Sequence, residues 1–272
     1  MLDSSKIDIK NIKRFIFNEG RLLERKLLSY FFEEGRKKEV LKVLAGYQND
    51  DGGFGNGIEP DLLCPDSTAI GAETALFILD LLEAKNSNIS KDLIKWILKV
   101  QNKEGYINHP PDNMLNYPYQ PWWENPDNDR IFVLAGILKN WGVGSEEFFK
   151  KVRNYYHKTE FPKEFGFYDY PIFVYLKYCG QNKEDVVKLE RILEILPSIL
   201  EDNKDHFPLL NRYWYYAIEH VSRNTLENQT TYFIGSFERD GGIKIAYQNL
   251  PWWRPIFTLD GLILLKKYNL LK

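Results

Sequence analysis

The chain has 272 residues, of which 44% are hydrophobic and 15% aromatic, enough to bury one sizeable core without requiring a second domain. Lys and Arg number 36 against 38 Asp and Glu, with no long run of like charge, so the basic footprint of a nucleic-acid binder is missing. Two cysteines are too few for a disulfide framework, and no window reaches the roughly 18 consecutive apolar residues of a membrane-spanning helix. The opening residues Met1 to Lys6 hold no apolar stretch resembling a signal peptide, and the expected address is a reducing cytoplasm.

Taken in chain order, apolar residues recur with the helical period and nowhere with a sustained strand alternation. The expected helices cover 7–18, 20–34, 37–48, 67–85, 90–101, 128–140, 146–158, 169–179, 184–201, 209–222, 224–237 and 256–269. That pattern gives an all-α protein of about six helix pairs in a single domain, 1–272. Asp66, Ser90 and Ser145 stand where N-caps belong, and Gly142, Gly144 and Gly180 where helices stop. Two connections, 49–66 and 102–127, are long for a helical domain, and long loops tend to carry function.

One phrase returns along the chain. Gln48-Asn49-Asp50-Asp51-Gly52-Gly53-Phe54-Gly55 is followed by Gln101-Asn102-Lys103-Glu104-Gly105-Tyr106 and Glu238-Arg239-Asp240-Gly241-Gly242-Ile243. Each copy closes a helix, turns through glycine and leads past a proline, Pro65, Pro126 or Pro255, into an apolar helix. A unit that recurs in this way buries its core against its neighbours. Two copies also share a Tyr-Gln…Pro-Trp-Trp skeleton, in Tyr119 to Trp123 and Tyr247 to Trp253, which puts Trp122, Trp123, Trp252 and Trp253 in loops. Such tryptophans either plug the end of a barrel or line a ligand cavity with π faces.

The spacing Leu44-x3-Gln48-x3-Gly52-x-Phe54 resembles the QW repeat of squalene and oxidosqualene cyclases, and Gln48 to Gly55 followed by Pro65 to Ala69 resembles the repeats of protein prenyltransferase β subunits. The run Gly52 to Asp61 is similar to that of small bacterial prenyltransferase-like proteins. The resemblance implies an α/α toroid whose inner helices line a cavity, and a hydrophobic, isoprenoid-like ligand. The catalytic motifs of those families are not carried over. Arg130 ends Asp127-Asn128-Asp129-Arg130 where the cyclase acid motif has aspartate, and Asp61-Leu62-Leu63-Cys64 lacks the Asp-x-Cys spacing of the prenyltransferase zinc site. No metal and no cofactor is expected.

Glu59 and Asp61 are the candidate acid and base, since neighbouring carboxyls can hold different protonation states. Asp66, Trp122, Trp123, Asp129, Arg130, Trp252, Trp253 and Arg254 are the candidate binding residues; Arg130 and Arg254 would grip an anion or pair with aspartates. A carbohydrate-active enzyme on the same fold and a non-catalytic small-molecule or peptide binder remain open beside the isoprenoid reading. The expected partner is a small, hydrophobic ligand rather than nucleic acid.

Overall fold

The computed structural model describes residues 8–247 and 249–271, so Gln248 of the second Tyr-Gln skeleton, Ile7 at the start of the first expected helix, and the residues before it lie outside the described residues. The described residues form α-helices and 3-10 turns, with isolated bridges but no strand among them. The chain falls into two compact units, a central one of residues 44–192 and a terminal one of residues 1–43 with 193–272.

In the central unit fully buried helices alternate with amphipathic ones. Helix α4 (Ala69–Leu81), α6 (Arg130–Trp141) and α8 (Tyr170–Cys179) are buried on nearly every side, as their continuous apolar sequences require. Helices α5 (Asn88–Val100) and α7 (Glu146–Lys158) bury one stripe each, Leu93, Trp96 and Ile97 in α5 and Phe148, Val152 and Tyr156 in α7. Each Leu, Ile or Phe so buried contributes about 1.5–3 kcal/mol. The inner helices run parallel. Arg130 meets Glu73 and Tyr170 at their N-terminal ends, while Trp141 Nε1 donates to Asp80 Oδ1 at 2.9 Å toward the other end. Gly136 permits the close approach of α6 and α8, because a Cβ there would lie 2.7 Å from Val174 Cγ1.

The repeated phrase is a tie between a turn and an outer helix. Gln48 Nε2 donates to Gly52 O at 2.9 Å and to Ile89 O of α5 at 3.0 Å. Gln101 Nε2 repeats both bonds, to Gly105 O at 3.0 Å and to Phe148 O of α7 at 3.2 Å. Gly52 and Gly105 hold φ of 92° and 104°, and a Cβ on them would lie 2.6 Å from Asp92 O and 2.2 Å from Lys151 O. Only glycine tolerates both the angle and the contact.

The terminal unit contains α1 (Ile9–Glu19), α2 (Leu22–Phe32), most of α3 (Lys37–Leu44), the second half of α9 (Lys183–Asp202), α10 (Arg223–Gly235) and α11 (Trp253–Lys267). α11 is its buried helix, and α1 and α2 bury one face each. The third turn lies here: Gly241, at φ 95°, would bring a Cβ within 2.6 Å of Asn11 O in α1, and Asn11 Nδ2 donates to Arg239 O at 2.9 Å.

Several local expectations change. The helix expected at 209–222 is replaced by 3-10 turns at Pro208–Leu210 and Tyr215–His220. Asn211 competes with the helix there: its side chain donates to His206 O and accepts from the Tyr213 amide, an arrangement that turns the backbone. The N-cap of α4 is Thr68, which accepts from Gly71 N, rather than Asp66; that of α5 is Ser87 rather than Ser90, whose buried hydroxyl donates to Ala84 O. Ser145 caps α7, and Gly142 ends α6 in the left-handed region.

Candidate functional site

The two long loops of the central unit are joined to each other. Leu62 bridges Tyr119, Leu63 N donates to Pro118 O at 3.0 Å, and Gln120 N donates to Asp61 O at 3.0 Å. Beneath this seam Leu62, Cys64, Ile70, Met114 and Trp123 pack as one apolar cluster, with Tyr119 against it. Asp66 adds a further link, accepting from Asn113 Nδ2 at 3.1 Å. The loops deliver two of the expected acids into buried positions. Asp61 Oδ1 accepts from Trp123 Nε1 at 3.0 Å, and Glu59 Oε2 accepts from Thr74 Oγ1 of α4 at 2.9 Å.

At the N-terminal ends of the inner helices lies a second buried group. Arg130 Nε donates to Asp127 Oδ2 at 2.7 Å and its Nη1 to Glu73 Oε2 at 3.1 Å and to the Tyr170 hydroxyl, which in turn donates to Glu73 Oε1. Burial pushes the Glu73 carboxyl up, against the pull of Arg130. Burial also opposes the Arg130 charge, but Tyr170, Glu73 and Asp127 outweigh it and hold the guanidinium protonated. Asp129 opens α6 without capping it; its carboxylate accepts from Tyr155 at 3.0 Å, and burial raises its pKa.

His109 sits between these groups on the loop before α6. Its ring meets Trp123 edge-on at a centroid distance of 5.1 Å, and its backbone carbonyl accepts from Asp127 N at 2.9 Å. The residue is 2% exposed, and neither ring nitrogen has a hydrogen-bond partner. Burial, with the Arg130 charge adding to it, pushes the imidazole down from the usual 6.5 to about 3, so the ring is neutral.

Each tryptophan pair divides its labour. Trp123 is 6% exposed and Trp253 3%, whereas Trp122 is 45% and Trp252 41% exposed. Trp122 and Trp123 occupy a 3-10 turn, Pro121–Glu124, and Trp253 opens α11. Trp253 stacks on Phe257 at 5.0 Å, with the Arg212 guanidinium 5.8 Å from its ring, and Arg212 is bonded to the buried Asp260. Arg254, in the same terminal unit, straps the third turn. It donates to Ile243 O, Asp240 and Glu238 and covers the Phe15 ring at 4.9 Å. An open cleft of about 340 Å³ beside it is lined by Glu238, Lys244, Tyr247 and Pro251 among others.

Among the expected site residues, Glu59, Asp61, Asp66, Trp122, Trp123, Asp129 and Arg130 belong to the central unit, and Trp252, Trp253 and Arg254 to the terminal one. Glu73, Tyr170 and His109 complete the central group and are not singled out by motif. Glu73 does leave a trace, as the one charge in the first turns of a largely apolar helix. Among the described residues no three His, Cys, Asp or Glu side chains are grouped to hold a metal ion. A scan against protein-family models and a search of curated proteins both find no match.

Proposed function

We propose that the protein is a repeat toroid of the prenyltransferase and squalene-cyclase kind that binds a hydrophobic, isoprenoid-like small molecule beside Glu59, Asp61 and Trp123. The observation that carries the reading is the gathering of buried ionisable groups, Glu59, Asp61, Glu73 and Arg130, at the end of the inner helices where the two long loops meet. Buried charge costs several kcal/mol per ion unless well paired, and such clusters concentrate at functional sites. The alternation of buried and amphipathic helices supports the toroid, as does α1, which takes against the third turn the place of α5 and α7 against the first two.

Trp123 supplies apolar surface, and Glu59 and Asp61 are the groups that would exchange a proton with the ligand. Both already accept hydrogen bonds, from Thr74 and Trp123, which favours binding over turnover. The exposed face of Trp122 favours a second reading, a carbohydrate stacked on the indole. The balanced charge supports a small molecule over nucleic acid, and the buried free thiols of Cys64 and Cys179 support a reducing cytoplasm. No helix among the described residues is long and apolar enough to cross a membrane.

The test is a thermal-shift and native mass-spectrometry screen with farnesol, farnesyl diphosphate, squalene and cello-oligosaccharides, since a ligand that binds only the folded state raises its melting point. An isoprenoid hit weakened by Asp61→Asn supports the proposal. An oligosaccharide hit lost in Trp122→Ala replaces it with the carbohydrate reading, and a blank screen refutes both.

A further inference from the structure

We infer that His109 is the recognition point for the polar end of the ligand, and that this end is a neutral hydroxyl or carbonyl group rather than a phosphate or diphosphate. The inference rests on the isoprenoid reading above and adds what it leaves open, the chemistry of the head group.

The first ground is the state of the ring. A polar group removed from water without a partner is costly, and buried polar atoms are satisfied in nearly all folded proteins. His109 is buried with both nitrogens unpartnered, although its neighbourhood is rich in polar groups that are paired with one another. Asp61 takes the Trp123 indole, Asp127 takes Arg130, and Glu73 takes Arg130 and Tyr170. A neutral imidazole presents one donor and one acceptor, so an alcohol can accept from one nitrogen or donate to the other, and a ketone or aldehyde can accept from the donor side.

The second ground is local charge. Two charged groups act on the ring, Arg130 and Asp127, and the Arg130 guanidinium is already bonded to Glu73, Asp127 and Tyr170. A phosphate would meet like charge from Asp127 and would need to strip Arg130 from its partners. A neutral group meets neither obstacle. The depressed imidazole pKa agrees, because the ring brings no positive charge of its own at neutral pH.

The third ground is the surface outside. Leu63, Leu115, Tyr117 and Trp122 are exposed large apolar side chains on the same two joined loops whose inner faces carry Asp61, His109 and Trp123. Exposed apolar residues clustered on loops mark a contact surface. An amphiphile laid against them would turn its polar end inward to His109.

The experiment is isothermal titration of the full chain with farnesol and, separately, with farnesyl diphosphate. Wild type is compared with His109→Phe, which keeps an aromatic ring against Trp123, and with His109→Gln, which keeps a neutral donor and acceptor. The expected result is farnesol binding at least tenfold tighter than the diphosphate, loss of that binding by tenfold or more in His109→Phe, and recovery in His109→Gln. The ring nitrogen signals of ¹⁵N-labelled histidine should move on adding farnesol, a readout that a packing role would leave still. If both probes bind and neither the substitution nor the ring signals respond, the inference is overturned while the isoprenoid reading stands. If the diphosphate binds tighter, the head-group assignment is wrong. If neither binds, the isoprenoid reading fails and takes the inference with it.

Discussion

Arg130→Met tests the buried charge cluster most directly. The substitution keeps the length of an apolar stem but takes the guanidinium partner from the Glu73 carboxyl, the Tyr170 hydroxyl and the Asp127 carboxylate at the end of α4, α6 and α8. Breaking a buried ion pair by removing one partner costs about 3–5 kcal/mol, because the remaining charge is stranded in a poor solvent. Glu73 has an escape: its carboxyl is already pushed up by burial, and without Arg130 it rises further and takes a proton. A carboxyl whose folded pKa is raised gives stability that is complete below the ordinary value of 4.5 and is lost as pH rises through the folded pKa. The deficit of Arg130→Met should therefore grow with pH and be smallest in acid. Replacing the cluster together, Glu73→Met, Arg130→Met and Tyr170→Phe, removes the buried stranded groups and leaves Asp127, whose side chain is 30% exposed, to water; stability should return to within about 1 kcal/mol of wild type. Hydrogen exchange of the α4 and α6 amides measures the central unit by itself, with urea unfolding of the whole chain beside it. A cost below about 1 kcal/mol for the single variant, or a triple variant no better than the single, would refute the claim that the cluster is buried and mutually satisfied.

Three further outcomes follow from named residues. His109 titrates near 6.5 when unfolded but at about 3 when folded, so acidification below 6.5 charges only the unfolded chain; between pH 6.5 and 4.5 this should remove about 2 kcal/mol. His109→Phe should flatten that part of the stability profile, and an unchanged slope would show that the ring is solvated. The tryptophan pairs predict an asymmetry: Trp123→Ala and Trp253→Ala should each cost about 3–5 kcal/mol in urea unfolding, and Trp122→Ala and Trp252→Ala should stay below about 1 kcal/mol. Equal effects within a pair would contradict the burial difference. Cys64 and Cys179 are buried free thiols whose pKa values burial raises, that of Cys179 to about 12, so neither should react with Ellman's reagent until the chain unfolds. Rapid labelling of either thiol in the native state would count against that burial.

The helices were legible because their apolar period is strong, and the turns because glutamine and glycine do a local job at a fixed spacing. Gln48 and Gln101 each satisfy a carbonyl in their own turn and one in the next outer helix, a role written within a few residues of sequence. Long-range pairings leave no such mark. Nothing in the spacing of Asp61 and Trp123, or of Glu73, Arg130 and Tyr170, announces that they meet, since the first two are brought together by the seam between two loops and the other three by the parallel approach of helices far apart in sequence. The 209–222 segment misled for the opposite reason. Its apolar content suits a helix, but Asn211 and the left-handed Phe207 commit the backbone to turns that the hydrophobic pattern does not encode. His109 was invisible as a site residue because a lone histidine carries no spacing to read.

The third copy of the repeat explains its own decay. In the first two copies the outer helix that follows the turn comes next in the chain, and a glutamine before the turn reaches forward to that helix. In the third, the helix against the turn is α1, from the far end of the sequence, and Phe237 stands where the glutamine would be. The tie persists with its direction reversed: Asn11 on the helix donates to Arg239 O in the turn. Gly241 keeps the left-handed φ and the close helix contact of Gly52 and Gly105, since those are imposed by the turn itself. What the geometry demands at every copy is a glycine pressed against an outer helix and one side-chain amide bridging the two. Which partner carries the amide is free to change, so the glutamine fades from the sequence where the glycine cannot.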